Sequence, residues 1–435
     1  MTPKTLNRYF DVTPRIVAAN ASATVVLRPR GEHCRLDADR DYEVGIFPME
    51  EIGAQAVTCR LRPVDGGLRV CHAFAGEQEY ALNVVRCEAD RKVPVGEFRV
   101  YALAPDLFAR RPFKGDLHLH SCRSDGGESP AYVAGACRRV GLDFMAVTDH
   151  WKYEPSLEAI AAFAGLDFDL RIFPGEEVHQ EPYNSVHIVN FGGRCGISDQ
   201  IRAKQPYLTE VEAIAASLTD CPLPAPRRFL YAQCLWTYRR IRAASGLAVF
   251  AHPYWVEGPR YNVPEDLIAQ HFADQPYDAF ELLGGFHRYE VESNTLQVAR
   301  YHEERARGRL LPIVGSSDSH GCERGELFGW YFTIVFAPTL ELSELIAAVR
   351  QGYSVAVEAL PGETCRAHGP FRLVKYAHFL LREVFPQHDE LCVEEGRLML
   401  DHVAGDPAAA PTLRALKGRT QAFLDATWRQ LPPQA

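Results

Sequence analysis

No stretch of this chain offers about 18 consecutive apolar residues, so no membrane-spanning helix and no membrane partner are expected. The opening MTPKTLNRYFDV lacks the apolar core of a secretory signal, and a cytoplasmic protein is expected. Twelve cysteines are present, yet none forms a C-x-x-C pair. Scattered singly, as at Cys34, Cys59, Cys122 and Cys195, they read as reduced, buried thiols. There is no G-x-S-x-G elbow and no Cys/His nucleophile motif. Internal repeats are missing, and low complexity is confined to AGDPAAAPT. Positive charge is in the minority: 47 Lys and Arg against 56 Asp and Glu give a net charge of −9. That balance argues against a dedicated nucleic-acid-binding surface.

What is present is enough apolar material for a sizeable core, 47% hydrophobic and 11% aromatic over 435 residues. Such a length predicts two or three domains. Residues 1–110 read as short β segments, among them ATVVLRP, DYEVGIF, LRVCHAF and YALNVVRC, separated by turns such as Asp65-Gly66-Gly67. After the basic stretch around Arg110 and Arg111 the pattern alternates strand with helix over residues 111–355. GDLHLH is a strand, SPAYVAGACRRVG a helix capped by Ser129 with Pro130 in its first turn, and FMAVTDH the next strand. LRIFPGEEV, NSVHIVNFGG, LAVFAHP, YDAFELLGG, LPIVGSSDSHG and WYFTIVFA supply further strands. A helix ending on Gly246 as its C-cap precedes LAVFAHP. Residues 198–237 read as a helical insertion, and 356–435 as a mainly helical C-terminal extension.

Histidines and carboxylates recur at or just after these apolar runs, where an α/β barrel places its active site. His118 and His120 stand two apart on a strand, so both leave the same face and can grip one ion. Asp125 follows in a loop placed to curl back over the same pocket. His150, His187 and His252 each sit at or inside a strand; singly, a helix cap or a core histidine would account for them as well. Glu176 and Glu177 are neighbours, so strand geometry sends only one of them toward a metal. Asp318 and His320 repeat the two-residue spacing. Together these side chains point to a multinuclear centre of imidazole and carboxylate, suited to Zn, Mn or Fe. The other ten histidines lack this placement; His179, His271, His287 and His302 are expected at the surface or behind the ligands.

GDLHLHSCRSDGGESP, GLDFMAVTDH, PGEEV, FAHP and GSSDSHG, in that order, resemble the polymerase and histidinol phosphatase (PHP) superfamily over about residues 113–355. The resemblance implies an α/β fold, a distorted (β/α)7 barrel holding two or three divalent ions; the residue pattern outside it adds an N-terminal all-β, sandwich-like domain and a helical C-terminal extension. It places His118, His120, Glu177 and Asp318 on a first metal. Glu177 would bridge to a second ion held by His187 and His252, and Asp125, His150 and His320 would hold a third. Glu177 fits the family's Gly-x-Glu register, with Glu176 in reserve.

The expected activity is hydrolysis of a phosphate ester, as a phosphatase or phosphodiesterase, with a metal-bridging hydroxide attacking phosphorus. Glu177, Asp318 and His320 would carry the chemistry, on a small phosphorylated substrate such as a nucleotide or sugar phosphate. Lys152, and less strongly Arg288 and Arg324, are candidate contacts for phosphate oxygens, with solvated surface charge as the alternative for all three. The same water, activated by Mn, Fe or Zn, would also serve hydrolysis of a C–N or C–O bond. A third reading is a non-catalytic binding protein stabilised by metal.

Overall fold

The computed structural model describes residues 8–182, 185–285, 291–323 and 327–429. It divides into two units, each with its own core. The first comprises the chain up to Arg111 together with Lys375–Leu391 and the residues from Gly418. Alternating burial along its strands builds two sheets. One is ordered Phe10–Thr13, Ala21–Pro29, Leu68–Phe74; the other Ile16–Ala18, Lys92–Leu103, Gln78–Cys87, Tyr42–Pro48, Val57–Leu61. Val25, Val70 and Phe74 of one sheet share an apolar cluster with Val44, Leu82 and Val100 of the other. Within the same unit the buried Arg15 guanidinium pairs with Glu383 at 3.0 Å. The stretch 356–435 thus contributes to both units, and it includes a strand, Arg366–His368, besides its helices.

The second unit, Pro112–Val374 with Cys392–Lys417, carries every described residue of the expected metal centre. Its six-stranded sheet runs Arg171–Phe173, Phe144–Ala146, Arg111–Asp116, Tyr331–Ala337, Ser354–Glu358, Arg366–His368. A five-stranded sheet runs Gly175–His179, His187–Phe191, Leu247–Phe250, Ala279–Leu283, Ile313–Gly315. Isolated parallel bridges join Leu119 to Ser319 and His150 to Glu177, linking segments that follow two inner strands of the six-stranded sheet to the two edges of the five-stranded one.

Not all of these strands are parallel. His187–Phe191 lies antiparallel to both Gly175–His179 and Leu247–Phe250. That reversal brings His187, at the start of its strand, beside His179, at the end of the preceding one. An imidazole at a strand's amino end therefore reaches the same rim as ligands at its neighbours' carboxyl ends.

Local signals account for several elements. Ser129 caps the helix Pro130–Arg139, its side chain accepting the Tyr132 N–H at 3.3 Å, with Pro130 in the first turn where no N–H is needed. The helix Ala225–Ala243 stops differently from the expectation: Ser245, not Gly246, takes the left-handed turn (φ 65°). Residues 198–237 are mainly helical, with Ser198–Arg202, Gln205–Ser217 and most of Ala225–Ala243, and their Tyr207, Val211 and Leu223 join an apolar cluster with Ile188 and Phe250. No helix among the described residues is long and apolar enough to cross a membrane. All twelve cysteines are free thiols, but only Cys137, Cys234 and Cys392 are buried; Cys71, Cys122 and Cys195 are exposed, against the expectation.

Candidate metal centre

The chain leaves its strands just before the histidines, in short extended segments held from both sides. Between His118 and His120, Leu119 bridges to Ser319, and the His120 N–H donates to the Ser319 carbonyl at 2.9 Å. Asp116 accepts the N–H groups of His118 and Ser317, at 3.2 and 3.1 Å, so one carboxylate fixes both ligand-bearing loops. Burial pushes that carboxyl up to about 7. Asp149 does similar work for the next loop, accepting the Ser121 N–H at 2.8 Å. Backbone strain gathers here too: Trp151, His252 and Asp318 have φ of 62°, 20° and 49°. A side chain at Gly285 would come within 2.5 Å of the Asp318 carboxylate, so only glycine leaves that carboxylate room.

Glu177 is the hub. Its Oε2 lies 3.4 Å from His118 Nε2 and 3.5 Å from His120 Nε2, while Asp318 Oδ1 lies 3.2 and 2.9 Å from the same two nitrogens. Its other oxygen, Oε1, faces His187 Nδ1 at 2.7 Å and His252 Nε2 at 3.3 Å. Further out, Asp125 lies 3.3 Å from His150 Nε2 and 3.4 Å from His320 Nε2. The His120 and His320 rings stack at 4.2 Å.

Close as these atoms are, they do not satisfy one another. His118 Nε2, both ring nitrogens of His120 and of His187, Glu177 Oε2 and Asp318 Oδ1 are buried without a hydrogen-bond partner. Buried polar atoms are costly when left so, and this many in one place calls for a missing partner. Donors sharing one ion through bonds of about 2.0–2.2 Å stand about 2.8–3.6 Å apart, as the His118–His120–Glu177–Asp318 atoms do. The residues present therefore fit divalent cations. Burial pulls the His120 and His187 imidazoles down, to about 4 and about 3. Burial pulls at His118, His150 and His252 as well, but the neighbouring carboxylates outweigh it and raise all three, His150 to about 10, so a cation bound there would displace protons. Burial opposes charge on Glu177 and Asp318, but the surrounding imidazoles outweigh it and hold both well below the usual carboxylate range.

No family model matches the chain. Over 57 residues it is 42% identical to the DNA polymerase/3'-5' exonuclease PolX of Bacillus subtilis (strain 168), a match covering 13% of this chain and 10% of PolX. A two-domain protein from Bacteroides vulgatus containing a predicted PHP-like metal-dependent phosphoesterase aligns at 18% identity and TM-score 0.38. That alignment covers 58% of this chain and 67% of the other. An amidohydrolase from Chromobacterium violaceum aligns at 22% identity and TM-score 0.31, over 48% of this chain and 88% of the other. This chain is similar to PHP-like metal-dependent phosphoesterases.

All nine residues that the PHP resemblance names as ligands lie within this one cluster. Glu176, the reserve, faces away: its carboxylate accepts the Asn190 amide at 3.1 Å and the N–H groups of Ile197 and Ser198. Lys152 is exposed, and its ammonium donates to the Arg123 carbonyl in the loop that carries Asp125. Arg288 and Arg324 lie outside the described residues, as does His287.

Two residues were missed. Glu281, fully buried on the strand Ala279–Leu283, lies 3.1 Å from His118 Nδ1 and accepts the His252 backbone N–H at 2.9 Å. Its signal, a lone glutamate within an apolar run (AFELL), was available in the sequence. His179, expected at the surface or behind the ligands, is only 3% exposed and lies 3.4 Å from Glu177 Oε2. Standing two residues after Glu177, it repeats the spacing of His118 and His120. His271 is also buried, but as a core residue stacked on Phe250 with its Nδ1 2.7 Å from the Leu267 carbonyl.

Proposed function

We propose that this protein is a metal-dependent hydrolase of phosphate esters, working in the cavity of about 310 Å³ that Asp125, His150, His187, His252, Asp318 and His320 line with Trp255 and Leu327. The observation that carries the reading is the set of orphaned, converging ligand atoms around Glu177. With the two bridges between its sheets, the second unit is read as a distorted seven-stranded barrel, and residues 1–110 as a sandwich-like domain.

His118, His120, Glu177 and Asp318 would hold one ion, Glu177 with His187 and His252 a second, and Asp125, His150 and His320 a third. Bound Mn, Fe or Zn would supply a nucleophile at neutral pH and neutralise charge on the reacting group. With all three groups filled, cationic charge exceeds that of the carboxylates, which favours an anionic substrate. His320 lies at the cavity with its side chain 38% exposed. Burial works against its charge, yet Asp125 and Asp318 together outweigh that and lift His320 to about 8, so near neutral pH the ion-free ring carries a proton. Lys152, tethered to the Asp125 loop, would contact a substrate oxygen.

The test is a panel of p-nitrophenyl phosphate, bis(p-nitrophenyl) phosphate and p-nitroanilides, run on metal-stripped and metal-reloaded protein. Turnover of a phosphate ester that appears only after reloading is expected. Hydrolysis confined to the anilides would reassign the site to C–N chemistry. A folded, metal-loaded protein inert on the whole panel would favour a binding role.

A further inference from the structure

We propose that His179 is a tenth ligand of this centre, forming with Glu177 and His150 a donor set that the nine motif residues do not contain. The inference rests on the metal-site reading above and refines it.

Three atoms converge. His179 Nε2 lies 3.4 Å from Glu177 Oε2 and 3.0 Å from His150 Nδ1, and His150 Nδ1 lies 2.6 Å from the same Glu177 oxygen. The first two separations fall within the span of about 2.8–3.6 Å expected between donors on one ion. His150 turns its other nitrogen, Nε2, toward Asp125. Its two nitrogens therefore face two different donor groups; a neutral imidazole has one lone pair, so His150 serves one group at a time, and His179 completes the inner one.

The ring is held for that task. His179 and His187 are cross-strand partners, and their imidazoles stack with centroids 3.8 Å apart and planes 11° from parallel. Trp151 packs against the His179 ring at 5.0 Å. Glu177 and His179, two apart on one strand, share a face. A histidine serving only as packing would have no need to turn a nitrogen toward a carboxylate shared by five other imidazoles.

The experiment separates ring from nitrogen. His179→Phe keeps an aromatic face against His187 and removes the donor; His179→Gln removes the ring. The full chain is stripped with a chelator and reloaded with Zn²⁺. Its stoichiometry is read by atomic emission, its affinity by competition with a chromophoric chelator, and its folding by circular dichroism. We expect His179→Phe to fold and either lose an ion or bind one at least about tenfold more weakly. If Phe disturbs the fold, His179→Gln decides on the same readouts. Wild-type stoichiometry and affinity in a folded His179→Phe would overturn the proposal. A control distinguishes that failure from failure of the site itself: Asp318→Asn should lose metal in either case. A wild-type chain that binds no Zn²⁺ would remove the site and this inference together.

Discussion

Two clusters of buried charge lie in the second unit, and they are built on opposite plans. Around Arg138, which is fully buried, donors meet acceptors. Its guanidinium donates to Glu395, to the Leu142 carbonyl at 2.9 Å and to Asp143 at 3.2 Å. The second oxygens of those carboxylates take the N–H groups of Asp169 and Lys114, at 2.8 and 2.9 Å. Around Glu177 the polar atoms are as close, yet several remain orphaned. Matched donors and acceptors leave nothing for a ligand to do, so the Arg138 cluster serves the fold. Lone pairs aimed at common points leave the work to ions, so the Glu177 cluster serves chemistry. Burial and charge alone do not separate the two; hydrogen-bond completion does.

The largest effect should come from breaking the closed cluster. Arg138→Met leaves Glu395 and Asp143 buried without their cation, at a cost of about 3–5 kcal/mol. Urea unfolding should register that loss, while protein that remains folded keeps its metal. A variant of near wild-type stability would show the cluster to be less closed than it looks.

Next comes the hub of the open cluster. Glu177→Gln removes the charge that both oxygens share among the surrounding imidazoles, and turnover should fall by about a hundredfold or more with metal lost. Asp318→Asn should behave alike, and asparagine tolerates the left-handed backbone at that position. Full metal content with normal turnover in either variant would contradict the open plan.

A smaller loss is expected one step removed. Glu281 faces His118 Nδ1 and so fixes which nitrogen of that ring is presented to Glu177 and Asp318. Glu281→Gln should weaken metal binding by about 10–100-fold, the usual cost of losing such a partner. The readout is chelator competition at constant fold. No change in affinity would make Glu281 a support of the His252 loop alone.

How much of this was legible in the sequence follows the same division. Side chains that bind from strand ends carry their spacing openly, so His118, His120, Asp318 and His320 stood out. His187 was ambiguous because its strand direction is set by long-range pairing with Gly175–His179 and Leu247–Phe250, which no local pattern encodes. Glu281 was hidden for a related reason: its partners His118 and His252 lie 163 and 29 residues away. The division of residues 356–435 between two units likewise depends on distant contacts such as Arg138 with Glu395 and Arg15 with Glu383. Periodicity shows that a segment is helical, and says nothing of which core receives it.

The smallest effect sharpens the comparison most, because it sets two adjacent glutamates against each other. Glu176 and Glu177 are both fully buried and differ only in which face of one strand they occupy. Glu177 meets imidazoles; Glu176 meets the Asn190 amide and two backbone N–H groups, and so belongs to the closed plan. Burial raises the carboxyl of Glu176, so its charge is held less firmly than that of Glu177. In Glu176→Gln the amide oxygen keeps part of that cap, and one N–H at most loses its acceptor, at a cost of about 1 kcal/mol. Metal content should be unchanged, with turnover within about twofold of wild type, a difference of under about 0.5 kcal/mol in the barrier. Matched thermal melts and metal analyses of the two glutamine variants decide it. Loss of metal in Glu176→Gln with retention in Glu177→Gln would exchange the two roles.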